Sequence, residues 1–423
     1  MLLSTLYTGW AECLPSSKVN CSIAVERDVY PINAGMKSEL RRVYESLIEC
    51  PDTDSLRLTL YAQRSNFEDD PLNFEFLAGA RFPRLRDLTL DGYDFGELQP
   101  IPRGIRWHEA QSAMKPMLPE NSEAYSLPPS QILYVPGAHL DNWRRAMDWT
   151  ALHSLKLSNV DNIFFWKMKG ALPALKSLTI RDNHGLSNAT NYMTNFLTSL
   201  NPLTNLSAHG YTDSIDWPQA LERHGSTLRS LKIQDWLANN SNDSKSTLSV
   251  TQLEEIRHWC PGLNELSVNI EMNAELPYEA LDEIASNTYL TKLTLRLRGN
   301  QNSRGFGSKC QTYGLPQDLA SEDENEEVKP QLPFIGPQTV LQIFHHLRSQ
   351  KRGLELLELD VYVGNHEIGW RHSYPEWIDR YSTSTSKHVC NIFNEEGNGK
   401  REGEAWCHCE GTCKEYASMC FPY

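Results

Sequence analysis

The chain has 423 residues, 40% of them hydrophobic and 22% charged, and a formal net charge of −14. That composition describes a folded chain able to bury a core, and its acidity counts against nucleic acid and anionic lipid surfaces as partners. No apolar run approaches the roughly 18 residues that cross a bilayer, and ten cysteines scattered along the chain make no disulfide framework, so a reducing, intracellular home, cytoplasmic or nuclear, is expected.

Residues 1–36 form an N-terminal segment that opens Met1-Leu2-Leu3 without a basic stretch, and no signal peptide is read there. Asn-x-Ser/Thr sites at Asn20, Asn188, Asn205, Asn239 and Asn242 carry weight only on a secretory route. Lys37–Cys50 places Leu40, Val43, Tyr44, Leu47 and Ile48 on one stripe and is expected to be a helix. A short phrase then recurs up to Val363: Leu, two residues, Leu, one residue, then Leu, Ile or Val. After a degenerate copy at Leu58-Leu60, it stands at Leu85-Leu88-Leu90, Leu152-Leu155-Leu157 and Leu175-Leu178-Ile180. It returns, degenerate, at Leu203-Leu206, then at Leu228-Leu231-Ile233, Leu263-Leu266-Val268, Leu290-Leu293-Leu295 and Leu354-Leu357-Leu359.

Helical patterns fall between the copies. They are Asn191–Leu200, a stretch opening at the Thr251-x-x-Glu254 capping box and stopped by Pro261-Gly262, a stretch with Pro277 as its first residue, and Gln338–Gln350. His224 before Gly225 reads as a helix C-terminus, with an imidazolium favoured by the helix dipole and a left-handed glycine cap. Of the paired His345 and His346, one is expected to pack partly inward and the other to face water. Two long insertions interrupt the array. The first, 96–149, is proline-bearing, is expected to wrap the outer face, and carries a short helix near Trp143–Met147. The second, 299–337, contains the acidic run Ser321–Glu327, which reads as a disordered loop. After Val363 the phrase stops, and 364–423 reads as an irregular Cys- and aromatic-containing cap with a loose stretch at Thr383–Gly403.

The phrase ends in apolar–polar alternation, the mark of a short strand with one buried face. First-leucine spacings from Leu152 to Leu290 are 23, 28, 25, 35 and 27 residues, around the usual period of leucine-rich repeats, about 20–29. The expected fold is therefore α/β, a right-handed leucine-rich-repeat solenoid or horseshoe spanning 37–363, with irregular repeats and two long insertions. Strand residues that alternate with the leucines face outward and are the candidate protein-binding surface: Thr89, Asp91, Lys156, Ser158, Thr179, Arg181, Lys232, Gln234, Ser267, Asn269, Thr294, Arg296, Glu358 and Asp360.

No His-Glu-x-x-His, Gly-x-Ser-x-Gly, Walker or dinucleotide motif occurs, so neither catalysis nor a cofactor is expected. Gly305-Phe306-Gly307-Ser308-Lys309 resembles a phosphate loop only superficially, since it follows no strand. The metal-like signal is Cys407, Cys409, Cys413 and Cys420, with His388 and Cys390 upstream. Only Cys409 and Cys413 have zinc-pair spacing, so a disulfide or redox role, or unrelated tail cysteines, stay open beside zinc.

Four phrases match more than the bare template: FPRLRDLTLDGYDF (82–95), RRAMDWTALHSLKLSN (144–159), RHGSTLRSLKIQDW (223–236) and LEEIRHWCPGLNELSVNIEMN (253–273). Together they resemble the F-box and leucine-rich-repeat proteins of filamentous fungi, over about Lys37 to Val363. The resemblance implies substrate recognition in a ubiquitin ligase, with an N-terminal F-box on a Skp1-type adaptor and the repeats holding the target. Leu14-Pro15 is followed by no helical stripe, so the F-box itself is not recognisable. The expectation is thus a protein–protein interaction scaffold, with the ligase receptor as its alternative.

Overall fold

A computed structural model describes residues 34–59, 74, 79, 81–93, 95, 97–100, 132–135, 138–158, 160, 162–181, 190–210, 215–234, 247–272, 275–299, 337–363, 386–392 and 405–410. The chain divides into two compact units, Met1–His224 and Gly225–Tyr423.

The first unit opens with helix α1 (Ala34–Glu49). Its stripe buries Leu40, Val43, Tyr44 and Leu47 and leaves Ile48 at the margin, 36% exposed. In chain order follow β1 (Ser55–Thr59), β2 (Asp87–Asp91), β3 (Glu97–Pro100), β4 (Ile132–Val135), α2 (Ala138–Ala146), β5 (Ser154–Ser158) and α3 (Asn162–Lys167). Then come β6 (Ser177–Arg181), α4 (Thr190–Ser199), β7 (Asn205–His209) and α5 (Trp217–His224). Strands β1, β2, β5, β6 and β7 pair in that order, all parallel, and the register sets leucine beside leucine. Leu56, Leu88, Leu155, Leu178 and Leu206 make one row, and Leu58, Leu90, Leu157, Ile180 and Ala208 the next. Burying each such leucine is worth about 1.5–3 kcal/mol, which is why the short strands hold their register against a one-residue slip.

The first copy is therefore not Leu58-Leu60. Leu56 and Leu58 occupy the strand positions, and Thr53, buried to 1% exposure, takes the place of the leading leucine. Its hydroxyl has no hydrogen-bond partner among the described residues. A leading position without leucine is what hid the register.

The 96–149 insertion contributes more than a short helix. β3 at its start pairs antiparallel with β4 further along it, and α2 starts at Ala138, five residues before Trp143. Trp143 is fully buried and lies within 5.2–6.3 Å, centroid to centroid, of Phe74, Phe82, Tyr93, Phe95 and Trp149. A polar knot sits inside this aromatic shell. Tyr93 Oη accepts from the Phe74 amide (3.0 Å) and from Trp143 Nε1 (2.9 Å), which leaves its own proton for His139 Nδ1 at 3.1 Å. His139 is then the Nε2–H tautomer, and it donates to the Phe74 carbonyl at 2.6 Å. The buried polar atoms complete one another's hydrogen bonds, the condition for keeping them out of water.

The second unit contains β8 (Ser230–Gln234), α6 (Val250–Trp259), β9 (Glu265–Met272), α7 (Tyr278–Ala285), β10 (Lys292–Gly299), α8 (Pro337–Gln350), β11 (Glu358–Val363), β12 (Ser386–Ile392) and β13 (Ala405–Glu410). Strands β8 to β11 are parallel neighbours, with Leu231 beside Leu266, Leu266 beside Leu293 and Leu293 beside Leu359. The last phrase is thus Leu356-Leu359-Val361, not Leu354-Leu357-Leu359. Leu354 and Leu357 are about half exposed (51% and 47%), while Leu356 is buried. Glu358 and Asp360 still face outward, but Glu358 aligns with Lys292 rather than with Thr294.

Local signals were near but displaced. The capping box of α6 is Ser249 with Gln252, each side chain bonded to the other's backbone, two residues before the expected pair. Pro277 is the N-cap of α7 rather than its first residue. Part of the stretch read as loose, Thr383–Gly403, is strand β12, which pairs antiparallel with β11 and β13, and α8 packs on β12 and β13. The acidic run 321–327, residues 305–309 and the N-terminal 1–33 lie outside the described residues. Among the described residues, no helix is long and apolar enough to cross a membrane.

Candidate functional site

Alternation along each strand sends one set of side chains into the core and the other onto a polar face. In the first unit that face carries two transverse rows. Arg57, Thr89, Lys156, Thr179 and Ser207 are in register in one; Asp91, Ser158, Arg181 and His209 are in register in the other. The expected residues Thr89, Asp91, Lys156, Ser158, Thr179 and Arg181 therefore stand together, and Arg57, Ser207 and His209 join them. Those three were missed because the Leu58-Leu60 register did not offer Arg57, and the degenerate phrase at Leu203 gave no outward pair.

The electrostatics of this face are unsettled. Among the described residues, the first unit's ion pairs, Arg41–Glu45, Arg84–Asp148 and Lys167–Asp141, lie elsewhere. Among the described residues, none of Arg57, Lys156 and Arg181 forms an ion pair. Burial pushes the Asp91 carboxyl above its ordinary range, although Arg181, Lys156, the Ser158 hydroxyl and Arg57 all pull it down. Burial, with repulsion from Arg181 and Arg57, holds the Lys156 ammonium below its usual range, and Asp91 only partly offsets this. Ser158 is 1% exposed with its hydroxyl beside the Asp91 carboxyl, and Arg181 Nε lacks a hydrogen-bond partner among the described residues. His209 is buried and shares a 2.9 Å hydrogen bond with Ser207 Oγ.

The second unit's face is closed by its own contacts. Lys232 pairs with Glu265 at 2.7 Å, and Ser230 donates to the same carboxylate at 2.7 Å. Lys292 pairs with Glu358 at 2.7 Å, Gln234 donates to Ser267, and Arg296 lies 4.9 Å over the Tyr362 ring. Burial works to raise the Glu265 carboxyl, but hydrogen bonds from Lys232 and Ser230 and the Lys232 and Lys292 charges hold it below its ordinary range. Gln234, Ser267, Asn269 and Arg296 are buried. These four, with Ser158 of the first unit, are outward in register but not open to a ligand, a correction to the expectation that every outward strand residue offers surface.

One histidine also differs from expectation. His224 ends α5 but is fully buried; its Nδ1 accepts from the Leu203 amide (3.3 Å) and its Nε2 donates to the Leu197 carbonyl (3.0 Å). Burial holds its pKa down to about 4, so the ring is neutral rather than an imidazolium. Gly225 is not among the glycines with positive φ, so it supplies no left-handed cap. His345 and His346 divide as expected: His345 is exposed, while His346 packs partly inward beside the buried Phe344 and Leu347, contacts Asp282 at 2.7 Å and meets Tyr278 edge-on.

Of the metal candidates, Cys407 and Cys409 lie on β13 opposite Cys390 and His388, and Cys413 and Cys420 lie outside the described residues. Among the described residues, no group of three or more His, Cys, Asp or Glu could hold a metal ion. Cys390, which is buried, and Cys50 are each disulfide-bonded, against the expectation drawn from their scatter along the chain. Cys260 is a free, buried thiol pushed up to about 12 by burial, and so is inert. No protein-family model matches the chain, and no curated protein matches it.

Proposed function

We propose that this chain is a non-catalytic interaction scaffold, a leucine-rich-repeat solenoid that holds a protein ligand on its polar strand faces. The observation that supports the reading is the leucine-on-leucine register of parallel strands alternating with helices in each unit. Such a ladder leaves a row of polar side chains free of core duty, and in the first unit Asp91 Oδ1 and Arg181 Nε among them lack a hydrogen-bond partner among the described residues.

The test is capture of tagged full-length chain from its own cells, with mass spectrometry, beside a variant carrying Arg57→Glu and Lys156→Glu. The scaffold reading expects specific proteins that the variant loses. Identical recoveries from both chains would sink it. Recovery of a Skp1-type adaptor with a cullin would make the chain a ligase receptor, as the fungal resemblance implies. A cytoplasmic or nuclear location belongs to the reading. Thiol trapping in living cells checks it, because disulfides already present at Cys50 and Cys390 would move the chain to an oxidising compartment.

A further inference from the structure

We propose that the strand face of the first unit binds an acidic, extended peptide segment of a partner protein. The inference rests on the scaffold reading and names the class of ligand. Arg57, Lys156 and Arg181 rise from strands β1, β5 and β6 of one ladder, and no carboxylate among the described residues pairs with them. The whole chain carries a net charge of −14, yet on this face three cations have only Asp91 among them, and among the described residues it forms no ion pair with any of the three. The second unit builds the same kind of face and neutralises its lysines internally, Lys232 on Glu265 and Lys292 on Glu358.

Spacing and polarity narrow the ligand. One strand separates β1 from β5, which puts the Arg57 and Lys156 backbones about 10 Å apart at the usual strand spacing. Side chains three residues apart on an extended polyproline-type segment are about 9 Å apart and on one side. Two carboxylates at that spacing would meet both cations. Thr89 and Thr179, partly exposed in the same row, add hydroxyls for the segment's backbone. Asp91, in the next row, and Asp87, exposed at the start of β2, can accept the peptide N–H groups that lie between such carboxylates, donors that a phosphodiester backbone does not carry. That distinguishes a protein segment from a nucleic acid. Bound carboxylates would also relieve the mutual repulsion of Lys156, Arg181 and Arg57.

The experiment is fluorescence anisotropy of a labelled twelve-residue oligoglutamate titrated with the full-length chain, with an oligothymidylate of equal length as comparison. Oligoglutamate is expected to bind more tightly than oligothymidylate and to weaken with salt. Arg57→Glu, on an exposed residue, and Lys156→Glu are each expected to weaken it about tenfold or more, while Lys232→Glu in the second unit changes it less than about twofold. Circular dichroism melts accompany each variant. If Lys156→Glu unfolds the chain, Arg57→Glu with Lys156→Gln carries the test. Absence of oligoglutamate binding, indifference to Arg57→Glu, equal loss with Lys232→Glu, or equal binding of oligothymidylate would each overturn the proposal. If the probe fails while cell capture still returns proteins lost from the Arg57/Lys156 variant, the acidic class falls and the scaffold reading stands. If that capture shows no dependence on the face, the scaffold reading falls with it.

Discussion

The two units use one construction to different ends. Each lays leucines beside leucines along parallel strands and covers them with helices, yet their polar faces diverge. In the second unit, Glu265 sits between Lys232 and Lys292 in charge, Glu358 neutralises Lys292, and Tyr362 covers the Arg296 guanidinium. In the first, three cations share one carboxylate whose own ionisation burial resists. Where charges are paired across neighbouring strands, the face contributes to folding. Where they are left apart, folding gains nothing from them, and that contrast is what the proposed ligand rests on. The units also differ in what is buried: among the described residues the first buries Tyr93, His139 and His224 in its core, whereas the second's buried polar side chains are Gln234, Ser267, Asn269, Asn287 and Arg296, with no histidine.

Five substitutions and one change of pH would break or sharpen that contrast, read for each unit separately by hydrogen–deuterium exchange. Trp143→Ala removes the centre of the aromatic shell and strips a donor from Tyr93. A loss of about 3–5 kcal/mol is expected in the first unit, with the second unit's exchange unchanged; a global loss would mean the units do not differ as described. Acidification comes next. His224 has a folded pKa of about 4 against an ordinary 6.5, so between those values the unfolded chain binds the extra proton. Stability of the first unit therefore falls as pH drops from 6.5 to 4, by roughly 3 kcal/mol, and is unaffected by this group above 6.5. His224→Gln should remove that part of the slope, and an unchanged slope would refute the assignment.

In the second unit, Gly353→Ala would drive a Cβ into the Thr288 carbonyl, which already accepts from the Leu354 amide. An expected loss of about 1–3 kcal/mol there marks backbone closeness, rather than buried polar groups, as that unit's sensitive point. The smallest effects bear most directly on the faces. Lys232→Met should destabilise the second unit by at most about 1 kcal/mol, since its ion pair with Glu265 is partly exposed. Lys156→Met should leave the first unit unchanged or more stable, because it relieves repulsion. Equal losses from the two would erase the comparison.

The strand positions were legible because alternation and leucine spacing are backbone properties written locally. Misreadings fell where two registers fit the same letters. LELLELDV offers leucines at both 354-357-359 and 356-359, and only burial against neighbouring helices selects the second. Ser249-x-x-Gln252 and Thr251-x-x-Glu254 are equally good capping boxes on paper, and extended backbone at Ser249 decides between them. Outward direction was legible; openness to a ligand was not, because Ser158, Ser267 and Asn269 are covered by neighbours that no alternation encodes. Tyr93, His139 and Phe74 left no trace, since partners 19, 46 and 65 residues apart share no period.

That last contact reaches beyond stability to the order of folding. Within either ladder each parallel strand pairs with the ladder strand before it, so most pairings can zip up from short loops. The Phe74–His139 bond closes a 65-residue span, much as β2 on β5 closes the span from Asp87 to Ser154 and β10 on β11 that from Lys292 to Glu358, and the chain loses the entropy of each such loop before any hydrogen bond compensates it. In the first unit the strand pairing and the polar knot close around the same insertion. Trp143, bonded to the knot's tyrosine, is placed to report that closure: its fluorescence should settle with the backbone signal of β2 and β5, so that the first unit completes its ladder and its core in one step around the insertion.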